Sequence, residues 1–160
     1  GVESWTLVGH SAGVNHALVY ATRHPEVIAG VVGMAGGVLV SDRDWHRAYD
    51  AGLDAGGDET GDLAFDSDPE LLAESNREWK AFIKTPGVLR QLADLAIPCV
   101  LLGAERDIRP TWPLRQLAEL IPRGRYAEIQ GGGHFPWLTH AAGVDAALNE
   151  ALDYVGSVPD

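Results

Sequence analysis

Short apolar runs that stop at glycine alternate with longer amphipathic stretches along this sequence. Trp5-Thr6-Leu7-Val8 is the first such run, closed by Gly9, and it reads as a buried strand. A helix is expected from about Ser11 to His24, because Val14, Ala17, Leu18 and Ala21 fall on one face and Pro25 stops it. Val27 to Ala35 is apolar and rich in valine, a second strand ending at Gly36-Gly37. The pattern resumes at Ile97–Leu102, a third strand followed by Gly103. Leu114, Leu117 and Leu120 then mark a helix, Tyr126–Ile129 a fourth strand closed by Gly131-Gly132-Gly133, and Val144, Leu148, Leu152 and Val155 a final helix. Strands alternating with helices imply an α/β fold with a parallel sheet covered on both faces.

Residues 38 to about 94 break the alternation. Asp42-Arg43-Asp44-Trp45 opens a polar helical stretch, and Gly52 to Asp68 carries many Gly and Asp without periodicity, which predicts a mobile loop. Asp68-Pro69-Glu70 has the makings of a helix start, with a capping aspartate and proline in the first turn. Leu71, Leu72, Trp79, Phe82 and Ile83 give that helix an apolar side, and Thr85-Pro86 begins another. This segment reads as an inserted helical lid, which divides the chain into core (1–37), lid (38–94) and core (95–160).

Composition narrows the classes. With 160 residues, 46% of them hydrophobic, the chain can bury a core. Its net charge of −11 argues against nucleic acid and anionic membrane surfaces as partners. No apolar run approaches the ~18 residues of a membrane span, and no signal peptide is visible. The single cysteine, Cys99, lies in an apolar run and fits a reducing, cytoplasmic setting. No His, Cys and carboxylate cluster has metal-ligand spacing, so neither metal nor cofactor is expected. The start at Gly1, without Met and straight into a strand, leads us to expect a fragment.

Three polar residues stand just past three strand ends. Gly9-His10-Ser11-Ala12-Gly13 fits G-x-S-x-G, a pattern that chance produces in roughly one chain in twenty of this length. Its context makes it informative, since a strand precedes it and a helix follows. The glycines permit a sharp turn that lifts the serine hydroxyl clear, side chains at Gly9 or Gly13 being expected to collide there. The start of the helix aims N–H groups at developing negative charge. A serine hydroxyl also needs a base, and the base an orienting acid. His134 follows the last strand behind three glycines, and Asp107 follows the third strand. Glu105 is the nearest rival acid, but Asp107 lies deeper in its loop. Four other histidines read as bystanders: His16 and His24 on the first helix, His140 capping or solvating the last helix, and His10 packing under the serine turn; His46, in the lid, is given no role.

The segments Leu7-Val8-Gly9-His10-Ser11-Ala12-Gly13, Gly103-Ala104-Glu105-Arg106-Asp107-Ile108-Arg109-Pro110 and Gly133-His134-Phe135-Pro136-Trp137-Leu138 resemble the α/β-hydrolase superfamily. Their style is similar to the proline iminopeptidase-like and small-ester hydrolase branches, and the order Ser, Asp, His is the hydrolase order. The resemblance covers residues 4–36 and 95–156 and implies the C-terminal portion of that fold: a parallel half-sheet of about four strands, flanking helices and an inserted lid. It implies Ser11 as nucleophile, His134 as base, Asp107 as orienting acid and the Ala12 N–H as one oxyanion donor. The family's second donor comes from an earlier loop that nothing here matches. Losing one donor costs ~10²–10³ in turnover, so this piece alone is expected to be nearly inactive. Strand Trp5–Val8 would be an unpaired apolar edge, prone to aggregate.

Substrate class is open at this level. Trp45, Trp79, Phe82, Trp112 and Trp137 are candidates to line an apolar pocket under the lid, for a small acyl or short peptide substrate. Glu70, Glu74 and Glu78 sit at steps of four on one helix; iminopeptidases hold a substrate amine with lid carboxylates, while a solvated acidic face is the plainer reading. The expectation is cleavage of a small ester or amide, with an iminopeptidase-type aminopeptidase or a non-catalytic hydrolase-fold binding module as alternatives. Ser11 rules out relatives whose nucleophile is a carboxylate. Oligomeric state is not legible.

Overall fold

The computed structural model describes residues 1, 3–37, 39, 43–57 and 68–158. In chain order it has β1 (Trp5–His10), α1 (Ala12–Arg23), a single 3-10 turn (Pro25–Val27), β2 (Ile28–Met34), α2 (Arg43–Asp54), α3 (Pro69–Ile83), α4 (Val88–Ala93), β3 (Cys99–Ala104), α5 (Trp112–Leu120), β4 (Gly124–Ile129), α6 (Pro136–Thr139) and α7 (Ala141–Ser157). The strands form one parallel sheet in the order β1-β2-β3-β4 among the described residues.

Alternation within the central strands sorts the core into two layers. Val31, Cys99 and Leu101 point to one face, where they meet Val14, Ala17, Leu18 and Ala21 of α1, Val88 and Leu92 of α4, and Leu114, Leu117 and Ala118 of α5. Val32, Met34, Val100 and Leu102 point to the other face, under Val144, Ala151 and Val155 of α7. Because β2 and β3 are covered on both faces, they are almost wholly apolar. The outer strands alternate instead. On β1, Leu7 packs on the α1 layer while Val8 stands 55% exposed.

Several boundaries differ from the sequence expectation for identifiable reasons. The third strand starts at Cys99, not Ile97, because Pro98 has no N–H to give; its carbonyl still accepts from Val31 at 3.0 Å. The fourth starts earlier, at Gly124, since Gly124 and Arg125 pair with Cys99 and Val100 despite their polar or small side chains. The helix expected from Thr85-Pro86 begins at Val88, after Gly87 takes a left-handed conformation (φ 86°). Gly52 and Asp54, expected in a mobile loop, belong to the last turn of α2, and residues 58–67 of that loop lie outside the described residues. The start of α3 is as expected: the Asp68 carboxylate accepts from the N–H groups of Glu70 and Leu71 at 2.9 and 3.2 Å.

Candidate active site

All four strands run in the same direction, so their C-terminal ends share one edge, and three loops converge there. Ser11 occupies the turn between β1 and α1. Its φ is 52° and ψ −120°, a backbone conformation that costs a non-glycine residue ~1–3 kcal/mol and persists only where the surroundings impose it. They do impose it: the Ser11 N–H donates to Met34 O at 2.9 Å, and its carbonyl accepts from Val14 at 3.1 Å.

The glycines around Ser11 have separate reasons. A Cβ on Gly9 would stand 2.6 Å from the backbone carbonyl of Gly13, so the expected collision is there. A Cβ on Gly13 would meet nothing within 4 Å, which corrects the expectation that both motif glycines are sterically required. Gly36, which the sequence reading saw only as a strand end, is also tightly placed: a side chain there would run into the Ser11 carbonyl.

His134 reaches Ser11 from the far edge of the sheet. Its Nε2 lies 3.1 Å from Ser11 Oγ, and its Nδ1 lies 2.7 Å from Asp107 Oδ2. Asp107 Oδ1 is occupied by Arg109, through the backbone N–H at 2.9 Å and the guanidinium at 3.2 Å. The Asp107 side chain is 2% exposed and the His134 side chain 6%. Burial alone would raise the Asp107 pKa, but the hydrogen bond and charge of His134, with the N–H and charge of Arg109, outweigh it and hold the carboxyl below its ordinary value. An ionised carboxylate can only accept, so Nδ1 of His134 carries the proton, which leaves Nε2 of the neutral ring to accept from the Ser11 hydroxyl. Ala12 is the first residue of α1, so its N–H has no acceptor within the helix and lies next to Ser11.

The loop carrying His134 is packed rather than slack. Gly131 takes φ 72°, where a side chain would be strained and would also press on the His140 ring. Two contacts lace this loop to the loop that carries Asp107: the Arg106 N–H donates to Gly132 O at 2.8 Å, and the Glu105 carboxylate accepts from the Gly131 N–H at 2.7 Å. Glu105 therefore staples the two loops together, while Asp107 meets the imidazole.

The remaining candidates scatter. Trp137 lies edge-on to His10, at 4.6 Å between ring centroids, three positions after His134 in the chain. Trp45 donates Nε1–H to Pro110 O at 3.3 Å and stacks on Tyr49, whose ring underlies the Arg109 guanidinium, so α2 docks on the acid loop. Trp79 and Phe82 stack on each other and line a groove of about 480 Å³ between α1 and α3, together with Glu78 and with none of Ser11, Asp107 and His134. Trp112 is partly exposed at the start of α5. His16 bonds Ser75, His46 lies edge-on to Trp45, and His24 contacts Tyr20 and Glu26. His140 makes no capping bond and contacts Thr139 Oγ1 at 2.8 Å. His10, expected only to pack, makes a long-range hydrogen bond to the backbone of His134. Among the described residues, no group of three or more His, Cys, Asp or Glu could hold a metal ion, and no helix is long and apolar enough to cross a membrane.

No family model matches the chain. Curated relatives include the pimeloyl-[acyl-carrier protein] methyl ester esterases of Xanthomonas oryzae pv. oryzae (strain MAFF 311018), 32% identical over 91 residues, and of Xanthomonas axonopodis pv. citri (strain 306), 31% identical over 91 residues. Each match takes in 56% of this chain and 35% of the relative, so the chain spans about a third of the length of the curated relatives it matches. Similar solved structures include E-2-(acetamidomethylene)succinate hydrolase (TM-score 0.66, 16% identity, 94% of this chain and 67% of that one). Another is MGS-MChE2, an α/β-hydrolase enzyme from the metagenome of lagoon sediments at Mar Chica, Morocco (TM-score 0.65, 19% identity, 96% of this chain and 63% of that one). A third is a thermophilic esterase from Thermogutta terrifontis (TM-score 0.62, 18% identity, 96% and 66%). With four parallel strands in sequence order, helices on both faces and these neighbours, the chain has the α/β-hydrolase fold.

Proposed function

We propose that this chain carries the nucleophile, base and acid of a serine hydrolase that cleaves a small carboxylic ester through an acyl-enzyme. The observation that carries the reading is the unbroken run of contacts Ser11 Oγ, His134 Nε2, His134 Nδ1, Asp107 Oδ2, at 3.1 and 2.7 Å, built on a strained serine backbone. The named esterases among the relatives support an ester as the substrate class.

In this mechanism Ser11 Oγ attacks the ester carbonyl carbon as its proton passes to His134 Nε2. The imidazolium that forms faces the ionised Asp107, which Arg109 holds in place. The carbonyl oxygen becomes an oxyanion and takes the Ala12 N–H as one donor. Collapse breaks the bond to the alkoxy oxygen, and the leaving alcohol takes the proton from His134. Water then attacks the acyl-Ser11 ester with His134 again as base, releasing the carboxylic acid and restoring Ser11. Of the inserted segment, α2 is the part that borders this edge, through its contacts with Pro110 and Arg109. Trp137, packed on His10 beside Ser11 in the chain, and Trp45, bonded to Pro110, are the better placed candidates for substrate contact. Trp79 and Phe82 are spoken for by the groove along α1.

The test is turnover of p-nitrophenyl acetate and of amino-acid p-nitroanilides by the intact protein, with labelling by a fluorophosphonate. Ester cleavage and labelling that Ser11→Ala abolishes are expected. Preferential cleavage of the anilides would move the assignment to an aminopeptidase. Absence of both labelling and turnover would leave a binding module.

A further inference from the structure

His10 ends β1, one residue before Ser11, and β1 and β4 are opposite edges of the sheet. Its imidazole nevertheless spans to the loop after β4, where Nε2 lies 2.7 Å from the backbone oxygen of His134, a partner 124 positions away. A carbonyl can only accept, so Nε2 carries the proton and donates. The ring is enclosed by the His134 ring at 4.8 Å, Phe135 at 5.2 Å and Trp137 at 4.6 Å between centroids. The charged and titratable groups acting on it are His134, Asp107 and Arg109. Burial dominates among these influences and lowers its pKa to about 4, so the ring is neutral near pH 7.

Asp107 holds the His134 ring, but the other ties on the backbone of the last loop fall short of His134. Arg106 holds Gly132 and Glu105 holds Gly131, both before His134, and α6 starts at Pro136. The His10 bond lands on the residue that carries the imidazole, and it comes from the strand that carries the nucleophile.

We propose that His10 is a positioning residue, whose Nε2–H ties the His134 backbone to the strand bearing Ser11 and so sets the distance between nucleophile and base. The proposal rests on the reading of Ser11 and His134 given above. The geometry explains the economy of the arrangement: serine and histidine arise on opposite edges of the sheet, and a backbone tether adjacent to the serine registers one loop against the other. A neutral ring in this position also adds no charge to oppose the imidazolium forming 4.8 Å away.

The experiment compares wild type, His10→Phe, His10→Gln and Ser11→Ala in the intact protein, by fluorophosphonate labelling rate and by kcat and KM on p-nitrophenyl acetate. Phe keeps the ring contacts and loses the donor, whereas Gln keeps a donor. We expect His10→Phe to lower kcat and the labelling rate by on the order of 10- to 100-fold with KM unchanged, and His10→Gln to recover most of the loss. Wild-type rates in His10→Phe, or a His10→Gln no better than His10→Phe, overturn the proposal while a silent Ser11→Ala leaves the nucleophile assignment standing. Labelling of Ser11→Ala at the wild-type rate overturns both. Should His10→Phe fail to fold, the tautomer decides: a long-range 1H–15N spectrum of the wild type must show the His10 proton on Nε2, and a proton on Nδ1 alone sinks the tether.

Discussion

Arg109 gives both its backbone N–H and its guanidinium to the same carboxylate oxygen of Asp107, at 2.9 and 3.2 Å, which leaves the other oxygen to His134 alone. On the proposed mechanism, Asp107 is thus oriented from behind before it orients His134. Replacing Asp107 by Asn removes the anion and turns a donor toward Nδ1, forcing the wrong tautomer on His134, so ester turnover should fall ~10⁴-fold. Glu105→Gln should stay close to wild type, because an amide oxygen still accepts the Gly131 N–H. Equal losses in the two variants would show that the acid had been misassigned.

Strain at Ser11 separates two inactive variants that would otherwise look alike. Ser11→Ala keeps a Cβ at φ 52°, whereas Ser11→Gly removes the steric penalty. Both should lose turnover, and Ser11→Gly should be the more stable by ~1 kcal/mol after glycine's own entropic cost. Denaturant midpoints of the pair test this, and a more stable Ser11→Ala would contradict it.

The two motif glycines should respond in opposite ways to the same methyl group. Gly9→Ala drives a Cβ into the backbone of Gly13 and Val14, which cannot yield without moving α1, and a loss of ~1–3 kcal/mol is expected. Gly13→Ala enters open space in the first turn of a helix and should be neutral or gain up to ~1 kcal/mol. Thermal melting of the two single variants is sufficient.

Contact between α2 and the acid loop predicts an effect on catalysis from a residue outside the converging loops. A Cβ on Gly52 would sit 2.6 Å from Ile108 Cβ, next to Asp107 in the chain. Gly52→Ala should therefore lower kcat through a displaced Asp107, by up to ~10²-fold for a shift of about 1 Å, and Gly52→Ala/Ile108→Ala should recover part of it. Unchanged kcat in Gly52→Ala would mean that α2 moves aside without disturbing the acid.

Acid stability should carry a mark of His10. Unfolded, this imidazole binds a proton below pH 6.5; folded, it refuses one until about pH 4. Across that window the unfolded state binds more protons, so stability falls as pH drops. Asp107 follows in sequence: its contribution is present above the ordinary carboxylate range and is lost as pH falls through its depressed folded value. The gap in urea midpoint between wild type and His10→Gln should shift in favour of the wild type as pH rises from 4 to 6.5. A gap that stays constant would contradict the lowered pKa.

What the sequence makes legible follows from local repetition. Glycine after an apolar run marks where a strand stops, and on a parallel sheet every such stop lies on the same edge, so Ser11, Asp107 and His134 can be picked out without coordinates. His10 could not be, because its partner is a backbone oxygen 124 positions away and a single half-buried ring has no period. Gly52 looked like a loop residue because composition cannot register the approach of Ile108. The aromatic candidates failed to sort for a similar reason: Trp79 and Trp137 are alike as side chains, and only packing sends one to the α1 groove and the other to His10.

Among the described residues the sheet order equals the chain order, with no strand inserted between two earlier ones. A growing polypeptide can therefore add each strand to the open edge left by the one before, as synthesis proceeds from the N-terminus. Ser11 emerges more than a hundred residues before His134, so on the proposed mechanism the nascent serine has no base until β4 has docked. Reactivity toward a fluorophosphonate would then report the docking of β4 during folding on the ribosome, with Ser11 itself as the clock.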